Sequence, residues 1–187
     1  MRDYIILDTE TGGFNPKEHS LLTIGIVFVK DGKVVDKKEW QVKSSTYNVT
    51  PQALKVNKLN LTDLYEHGDT IEQIRKEFIV TMKDLYKSSK PTLIGHNVGF
   101  DMGFIYEQLL NKQAWESLVS YRRIDTMDVA RFLQDVKILN TKKIDLSSLM
   151  VFFNLGNELS EGRHSALFDA QCTWTVFCKM GLLTKEG

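Results

Sequence analysis

"YIILDTETGG", Tyr4 to Gly13, decides how this chain is read. Tyr4-Ile5-Ile6-Leu7 is a short apolar run of the kind that forms a buried strand, yet it ends in two acids one residue apart, Asp8 and Glu10. If the strand continues through them, its period of two points both carboxylates to the same side. Two carboxylates held together repel and lose hydration unless a cation joins them, and a hard divalent metal such as Mg²⁺ or Mn²⁺ prefers such oxygen ligands. Asp8 and Glu10 are therefore a candidate metal seat. Gly12 and Gly13 follow at once, and without side chains they leave room for a ligand's backbone to approach. Taken alone, the fragment favours a plainer reading, a tight turn with two solvated acids. A chain with 24 acids in 187 residues holds ~0.8 Asp-x-Glu pairs by chance.

Outward from this stretch, "LLTIGIVFV" (Leu21–Val29) and "KVVDKKEWQV" (Lys33–Val42) flank Asp31-Gly32, the strongest short signal for a β-hairpin. Pro51 opens a stretch of short helical pieces. From Thr70 to Tyr86 the apolar residues Ile71, Ile74, Phe78, Met82 and Leu85 recur at three- and four-residue spacing, which predicts a core-facing helix with Thr70 and Gln73 as a capping box. Pro91 then precedes "TLIG" (Thr92–Gly95), a second short apolar run that also ends unusually, in "HNVGFD" (His96–Asp101). A helical pattern covers Phe100 to Leu110. "YRRIDTMDVARFL" (Tyr121–Leu133) reads as a strand end and a helix capped by Asp125 or Thr126. Ser147–Phe153 is another short helix, and Ser165 caps a last one running to about Met180. Strands first, then strands alternating with helices, give a mixed α/β sheet.

The length suits one domain over 1–187. At 42% hydrophobic and 26% charged residues with only three prolines, the composition excludes a disordered or fibrous chain. Cys172 and Cys178 are six apart in one expected helix, too far along it to bridge, so both are expected to pack in the core of a protein kept in a reducing compartment. No basic and apolar leader opens the sequence and no apolar run approaches the roughly 18 residues of a membrane helix, so the expected location is cytoplasmic, without a membrane. The acceptor patterns Asn48-Val49-Thr50 and Asn60-Leu61-Thr62 are then chance matches. Lys plus Arg equals Asp plus Glu at 24 each, so bulk charge does not announce a nucleic-acid binder.

Two further acids stand out. Asp101 lies in the first turn of a helix, a common place for an acid because it favours the helix dipole. Asp169 follows His164 by five residues, a separation that turns an α-helix by roughly 500°, so two helical residues so spaced would not share a face. His164 is therefore expected before the cap Ser165, with Asp169 inside the helix. That suits a movable proton acceptor and a fixed metal ligand. The plainer readings are a surface loop histidine and an ordinary N-terminal helix acid.

Taken together and in order, "LDTETGG", "HNVGFD" and "HSALFDA" resemble the three motifs of the DEDDh family of 3′-to-5′ exonucleases, DnaQ-like enzymes of ribonuclease-H-like fold. The match runs from Asp8 to Asp169 and includes the histidine that names the branch. "GGFNPK", "VTPQAL" and "HSALFDAQCTWTVFC" are similar to its ribonuclease T-like and proofreading members. The resemblance implies a ribonuclease-H-like mixed β-sheet, with early antiparallel and later parallel strands, flanked by helices. It also implies two divalent ions, Mg²⁺ or Mn²⁺, at the scissile phosphate. Asp8 would bridge them, Glu10 and Asp169 would serve the nucleophile side, and Asp101 would complete the site. His164 would be the general base. Thr9, Gly12, Phe14, Asn97 and Phe100 fall at substrate positions, with the two phenylalanines stacking on terminal bases and Asn97 bonding a backbone oxygen; read without the resemblance, both phenylalanines are core residues and Asn97 is a turn residue.

Gln52 and Val56 depart from the ribonuclease T pattern, where an acid and an aromatic are expected, which puts that enzyme's base preference in doubt. Lys83, Lys87 and Lys90, Arg122 and Arg123, and Lys142 and Lys143 are the basic clusters available to a strand's phosphates. The implied substrate is single-stranded nucleic acid or a 3′ overhang, DNA or RNA, with a polymerase or repair partner or a homodimer as the setting. Two other functions compete: a catalytically silent nucleic-acid-binding or polymerase-associated module, and a phosphohydrolase of small nucleotides.

Overall fold

The computed structural model describes residues 2–155 and 165–186. Its frame is a five-stranded sheet of β1 (Tyr4–Thr11), β2 (Leu21–Lys30), β3 (Lys33–Gln41), β4 (Thr92–Gly95) and β5 (Arg123–Asp125), in the order β3-β2-β1-β4-β5. β1 pairs antiparallel with β2, and β2 with β3, while β4 joins β1 and β5 joins β4 in parallel. The expected mixed sheet is thus present, with its antiparallel strands first and its parallel strands later. Asp31 and Gly32 take φ of 50° and 77°, the left-handed pair that a two-residue hairpin turn requires.

β2 is buried at every residue but its last, as expected of a strand covered on both faces. On one face Ile5 and Leu7 pack with α3 (Ile71–Tyr86), α4 (Val98–Phe104) and α5 (Lys112–Leu118), where Phe78 and Trp115 stack with ring centres 5.3 Å apart. The opposite face sets Ile6, Val27, Val29 and Ile94 against Leu167, Ala170, Trp174 and Phe177 of the last helix, α8 (Ala166–Glu186). Each such buried aliphatic or aromatic side chain contributes about 1.5–3 kcal/mol. A further cluster joins α8 to α6 (Thr126–Asp135) and α7 (Leu146–Phe152) through Leu133, Leu149, Cys172 and Val176.

Local signals set the ends of these elements. The Thr70 side chain accepts from the Gln73 N–H in a full capping box, and Asp125 accepts from the Met127 N–H at the start of α6. The two glycosylation-like motifs serve the same purpose. Thr50 caps α1 (Pro51–Asn57) and Asn60 caps α2 (Leu61–His67). Three expectations are corrected. The helix expected over Phe100–Leu110 is α4 followed by a π-helical turn, Ile105–Leu109. α8 passes Met180 and runs to Glu186, with Leu183 still packed on the α6–α7 cluster. Only Cys172 packs in the core, its thiol pushed up to about 12 chiefly by burial, whereas Cys178 is exposed. Six residues turn a helix by roughly 600°, which carries Cys178 off the buried face. Among the described residues no helix is long and apolar enough to cross a membrane.

Candidate active site

β1 continues through Glu10 to Thr11, so the acids of the opening stretch are strand residues and not a solvated turn. Asp8 and Glu10 point to the α8 face, in line with Ile6, while Leu7 and Thr9 face the other way. In register, Asp8 lies opposite Gly25 of β2, and Gly25 opposite Glu39 of β3. That row positions α8. A Cβ on Gly25 would overlap the backbone of Ala166 and Leu167, so the missing side chain is the slot in which the helix start is seated. One turn in, Asp169 reaches the strand: single carboxylate oxygens of Asp8, Glu10 and Asp169 lie within 4.8 Å of one another.

Asp101 approaches from α4. Only 4% exposed, its Oδ1 accepts from the Thr9 N–H at 2.9 Å and the Thr9 hydroxyl at 2.7 Å. Thr9, buried between the two acids of β1, thus ties the second motif to the first. Burial, then the charges of Asp101, Asp169, Glu10 and Glu39, hold the Asp8 carboxyl well above its ordinary value. Glu10 is raised to about 8 by burial and then by Asp169 and Asp101. Burial also lifts Asp101, to about 7, against the pull of its bonds from Thr9. Three acids that so disfavour their own ionisation, with a fourth beside them, need a compensating cation, and three oxygen donors at this spacing suit a hard divalent ion. Asp8, Glu10 and Asp169 fit as its ligands, with Asp101 adjoining through Thr9.

Beside the acids lies a cleft of about 230 Å³, lined by Thr9, Glu10, Gly13, Phe14, Gln52, Val56 and Phe100. Phe14 is 83% exposed, which corrects its reading as a core residue, whereas Phe100 is half-buried on the main core. Their rings meet edge to face, 6.2 Å between centres. The loop bearing Phe14 is tied down by Gln108, which the sequence did not single out. From the π-helical turn its Oε1 accepts the Leu21 N–H, and its Nε2 donates to the carbonyls of Pro16 and His19. A π turn in a helix, often found at functional sites, was its only structural signal. At Gly12 the space of a side chain is filled by the Asn48 carbonyl. The Gly12 N–H donates to Ser20 O and its carbonyl accepts from Thr50 N–H, both at 2.7 Å, so this glycine admits the protein's own 48–50 segment.

Asn97 is exposed in the left-handed region at φ 60°. Its N–H and that of Val98 donate to the two carboxylate oxygens of Asp125, each at 2.9 Å, which fixes the turn between β4 and α4. His164 lies outside the described residues. The basic pairs are exposed, and Lys142 and Lys143 border a separate cavity of about 490 Å³ with Val151 and Phe152.

A sheet of this topology, delivering carboxylates from its central strand and from a helix laid across it, defines a ribonuclease-H-like nuclease of metal-binding type. The family profile described as "Exonuclease" (RNase_T) matches residues 5–177, and the chain belongs to that family, of the DnaQ-like 3′-to-5′ type. Similar curated proteins include the PolC-type DNA polymerase III of Listeria innocua serovar 6a, 29% identical over 98% of this chain and 12% of its own length, and that of Clostridium perfringens, 30% identical over 91% and 11%. The chain therefore spans about an eighth of those relatives. Among solved structures, Escherichia coli exonuclease I with a dA16 oligonucleotide superposes over all of this chain and 43% of its own (TM-score 0.78, 17% identity). Exonuclease X with 5′-overhanging duplex DNA does so over 97% and 92% (TM-score 0.60, 20% identity). These likenesses agree with the fold.

Proposed function

We propose that residues 1–187 act as one exonuclease domain that removes nucleotides stepwise from single-stranded or frayed 3′ ends. In this reading Asp8, Glu10, Asp101 and Asp169 are metal ligands, His164 is the general base, and Thr9, Phe14, Asn97 and Phe100 bind substrate, while Gly12, expected among them, admits the protein's own 48–50 segment instead. The observation that carries it is the convergence of Asp8, Glu10 and Asp169 within 4.8 Å, beside a cleft edged by an exposed aromatic. Two divalent cations, Mg²⁺ or Mn²⁺, bound there would lower the pKa of the attacking water and stabilise the leaving 3′ oxygen.

The chain's own residues do the rest. Asp8 and Glu10 hold their carboxylates on a strand in register with β2, so the site needs little rearrangement before reaction. Thr9 holds Asp101 in place through two hydrogen bonds. His164 takes the proton of the water, since an imidazole titrating near 6.5 is neutral enough at working pH to accept it. Phe14 and Phe100 stack on the last bases, typically worth ~1–3 kcal/mol per base in any sequence. The DNA polymerase relatives and the DNA-bound neighbours favour DNA as the first substrate to try and a polymerase or repair assembly as the partner, with self-association as the other arrangement. The free cysteines suit a reducing, cytoplasmic setting.

The test is a matched series of DNA and RNA oligonucleotides, each labelled at one end, in Mg²⁺, Mn²⁺ or chelator. Stepwise release of mononucleotides from the 3′ end, only with metal, is the expected result. Binding without release would identify a silent module instead. Hydrolysis of free nucleotides with the oligonucleotide left intact would identify a small-nucleotide phosphohydrolase.

A further inference from the structure

Glu39, on the edge strand β3, is not one of the four acids, yet it shares a row of the sheet with Asp8 across Gly25. Its Oε1 accepts from the Ser165 hydroxyl at 2.8 Å and from the Leu167 N–H at 3.1 Å. The Ser165 oxygen in turn accepts from the Phe168 N–H at 3.2 Å, and the first main-chain bond of α8 runs from the Asp169 N–H to the Ser165 carbonyl at 3.0 Å. Of the helix's orphan N–H groups, which every helix start must satisfy, Glu39 thus accepts that of Leu167, and it holds the Ser165 hydroxyl whose oxygen accepts that of Phe168. The slot at Gly25 fixes how deep the helix sits, and Glu39 fixes where it begins.

We infer that Glu39 is a positioning residue that anchors the first turn of α8 to the sheet and thereby places Asp169 against Asp8 and Glu10. The inference depends on the metal-site reading above. A helix start released from Glu39 frays by a turn, and Asp169 lies within that turn. Outer-shell partners that orient metal ligands typically change metal affinity or activity by 10–100-fold when removed, and Glu39 belongs to this class. A second way for Glu39 to act is through charge alone, because its carboxylate lies close enough to raise Asp8 and Glu10. The two mechanisms separate on Glu39→Gln, which keeps an acceptor oxygen and loses the charge.

The experiment compares wild type, Glu39→Ala, Glu39→Gln and Lys37→Met in the full chain. It reads Mn²⁺ binding by calorimetry, amide exchange at residues 166–169, and the Mg²⁺ dependence of exonuclease turnover. Lys37→Met removes the neighbouring β3–α8 bond, from Lys37 Nζ to Gln171 Oε1, and controls for general loosening of the helix. Glu39→Ala is expected to weaken Mn²⁺ binding roughly 10–100-fold and to speed exchange at 166–169, with little change in KM for the oligonucleotide. Glu39→Gln should stay within about threefold of wild type, and Lys37→Met should match it. Wild-type Mn²⁺ binding and exchange in Glu39→Ala overturn the inference, as does a Glu39→Gln variant as impaired as Glu39→Ala, which would assign the effect to charge. An Asp8→Ala control tells the two levels apart: if it keeps metal and turnover, the site reading itself has failed, and if it loses them while Glu39→Ala does not, only the role of Glu39 has.

Discussion

The acid side of the site and the aromatic side are built by different means. Asp8 and Glu10 are fixed on a strand paired with β2 along its length and with β4 as far as Ile6, and Asp169 by a helix slotted into Gly25, so their geometry follows from the main chain. Phe14 sits 83% exposed on a loop tied by side chains, Gln108 foremost, and by main-chain bonds to the 48–50 segment, and faces a cleft closed by Gln52 and Val56 of a seven-residue helix. In the proposed function, chemistry thus falls to the strand and helix frame, and recognition to parts that can change without disturbing it. The departures from the ribonuclease T pattern, Gln52 and Val56, fall on the second side. If the division is real, mutations on the acid side act on turnover and metal, while those on the aromatic side act on substrate binding.

The largest effect belongs to the acids. Asp8→Ala removes a carboxylate that would hold metal, and cation stabilisation of the reacting phosphate is worth several kcal/mol, so turnover should fall by roughly 10³-fold or more. Single-turnover assays over a Mg²⁺ titration check this, and near wild-type turnover at limiting metal would break the acid side of the comparison. His164→Ala should come next, lowering turnover roughly 10²–10⁴-fold as general-base catalysis does while leaving Mn²⁺ binding in place. If metal affinity falls and saturating metal restores turnover, His164 is a ligand and another group is the base.

The aromatic side should respond differently in kind. Phe14→Ala removes an exposed ring, so melting should hardly change. Loss of a base-stacking contact worth ~1–3 kcal/mol should raise KM for a single strand roughly 5–150-fold with kcat little altered. A fall in kcat at unchanged KM would erase the contrast. Stacking also requires unpaired bases, and opening a duplex end costs on the order of 1.4 kcal/mol per step, so blunt ends should be cut roughly tenfold more slowly than single strands. Equal rates on the two, or cutting of a circular strand, would remove the role assigned to Phe14 and Phe100.

Much of this was legible where the signal is local. The apolar run into Asp8, the Asp31-Gly32 turn, the Thr70–Gln73 cap and the Asp125 cap all depend on neighbours in sequence. The features that read poorly depend on register across strands. No spacing reveals that Gly25 faces Asp8, that Glu39 meets the start of α8 128 residues away in sequence from Leu167, or that Thr9 bonds Asp101 across 92 residues. Cys178, expected in the core, and the plain reading of Phe14 as a core residue differ from the structure for a related reason. Apolar character alone does not say which side of a helix or loop meets solvent, and only the packed partner decides. The π-helical turn that aims Gln108 leaves no mark in a pattern that looks helical throughout.

The smallest effect, on stability, tests whether the acid side alone carries the electrostatic strain. Burial and mutual repulsion lift Asp8, lift Asp101 to about 7 and lift Glu10 from 4.5 to about 8. The folded acids therefore hold protons more tightly than the unfolded chain does. Their contribution to stability is complete below pH ~4, where both states are protonated, and is lost as the pH rises through about 7 for Asp101 and about 8 for Glu10. In chelator the melting temperature should thus fall by a few degrees between pH 5 and pH 8, about 2–4 °C for each kcal/mol at this chain length. Mg²⁺ added at pH 8 should raise it again, because a ligand that binds only the folded state stabilises by mass action. Asp8→Asn removes one of the repelling charges and should flatten the slope, while Phe14→Ala should leave it unchanged. A slope that Phe14→Ala flattens as much as Asp8→Asn would mean that the two sides form one electrostatic and mechanical unit.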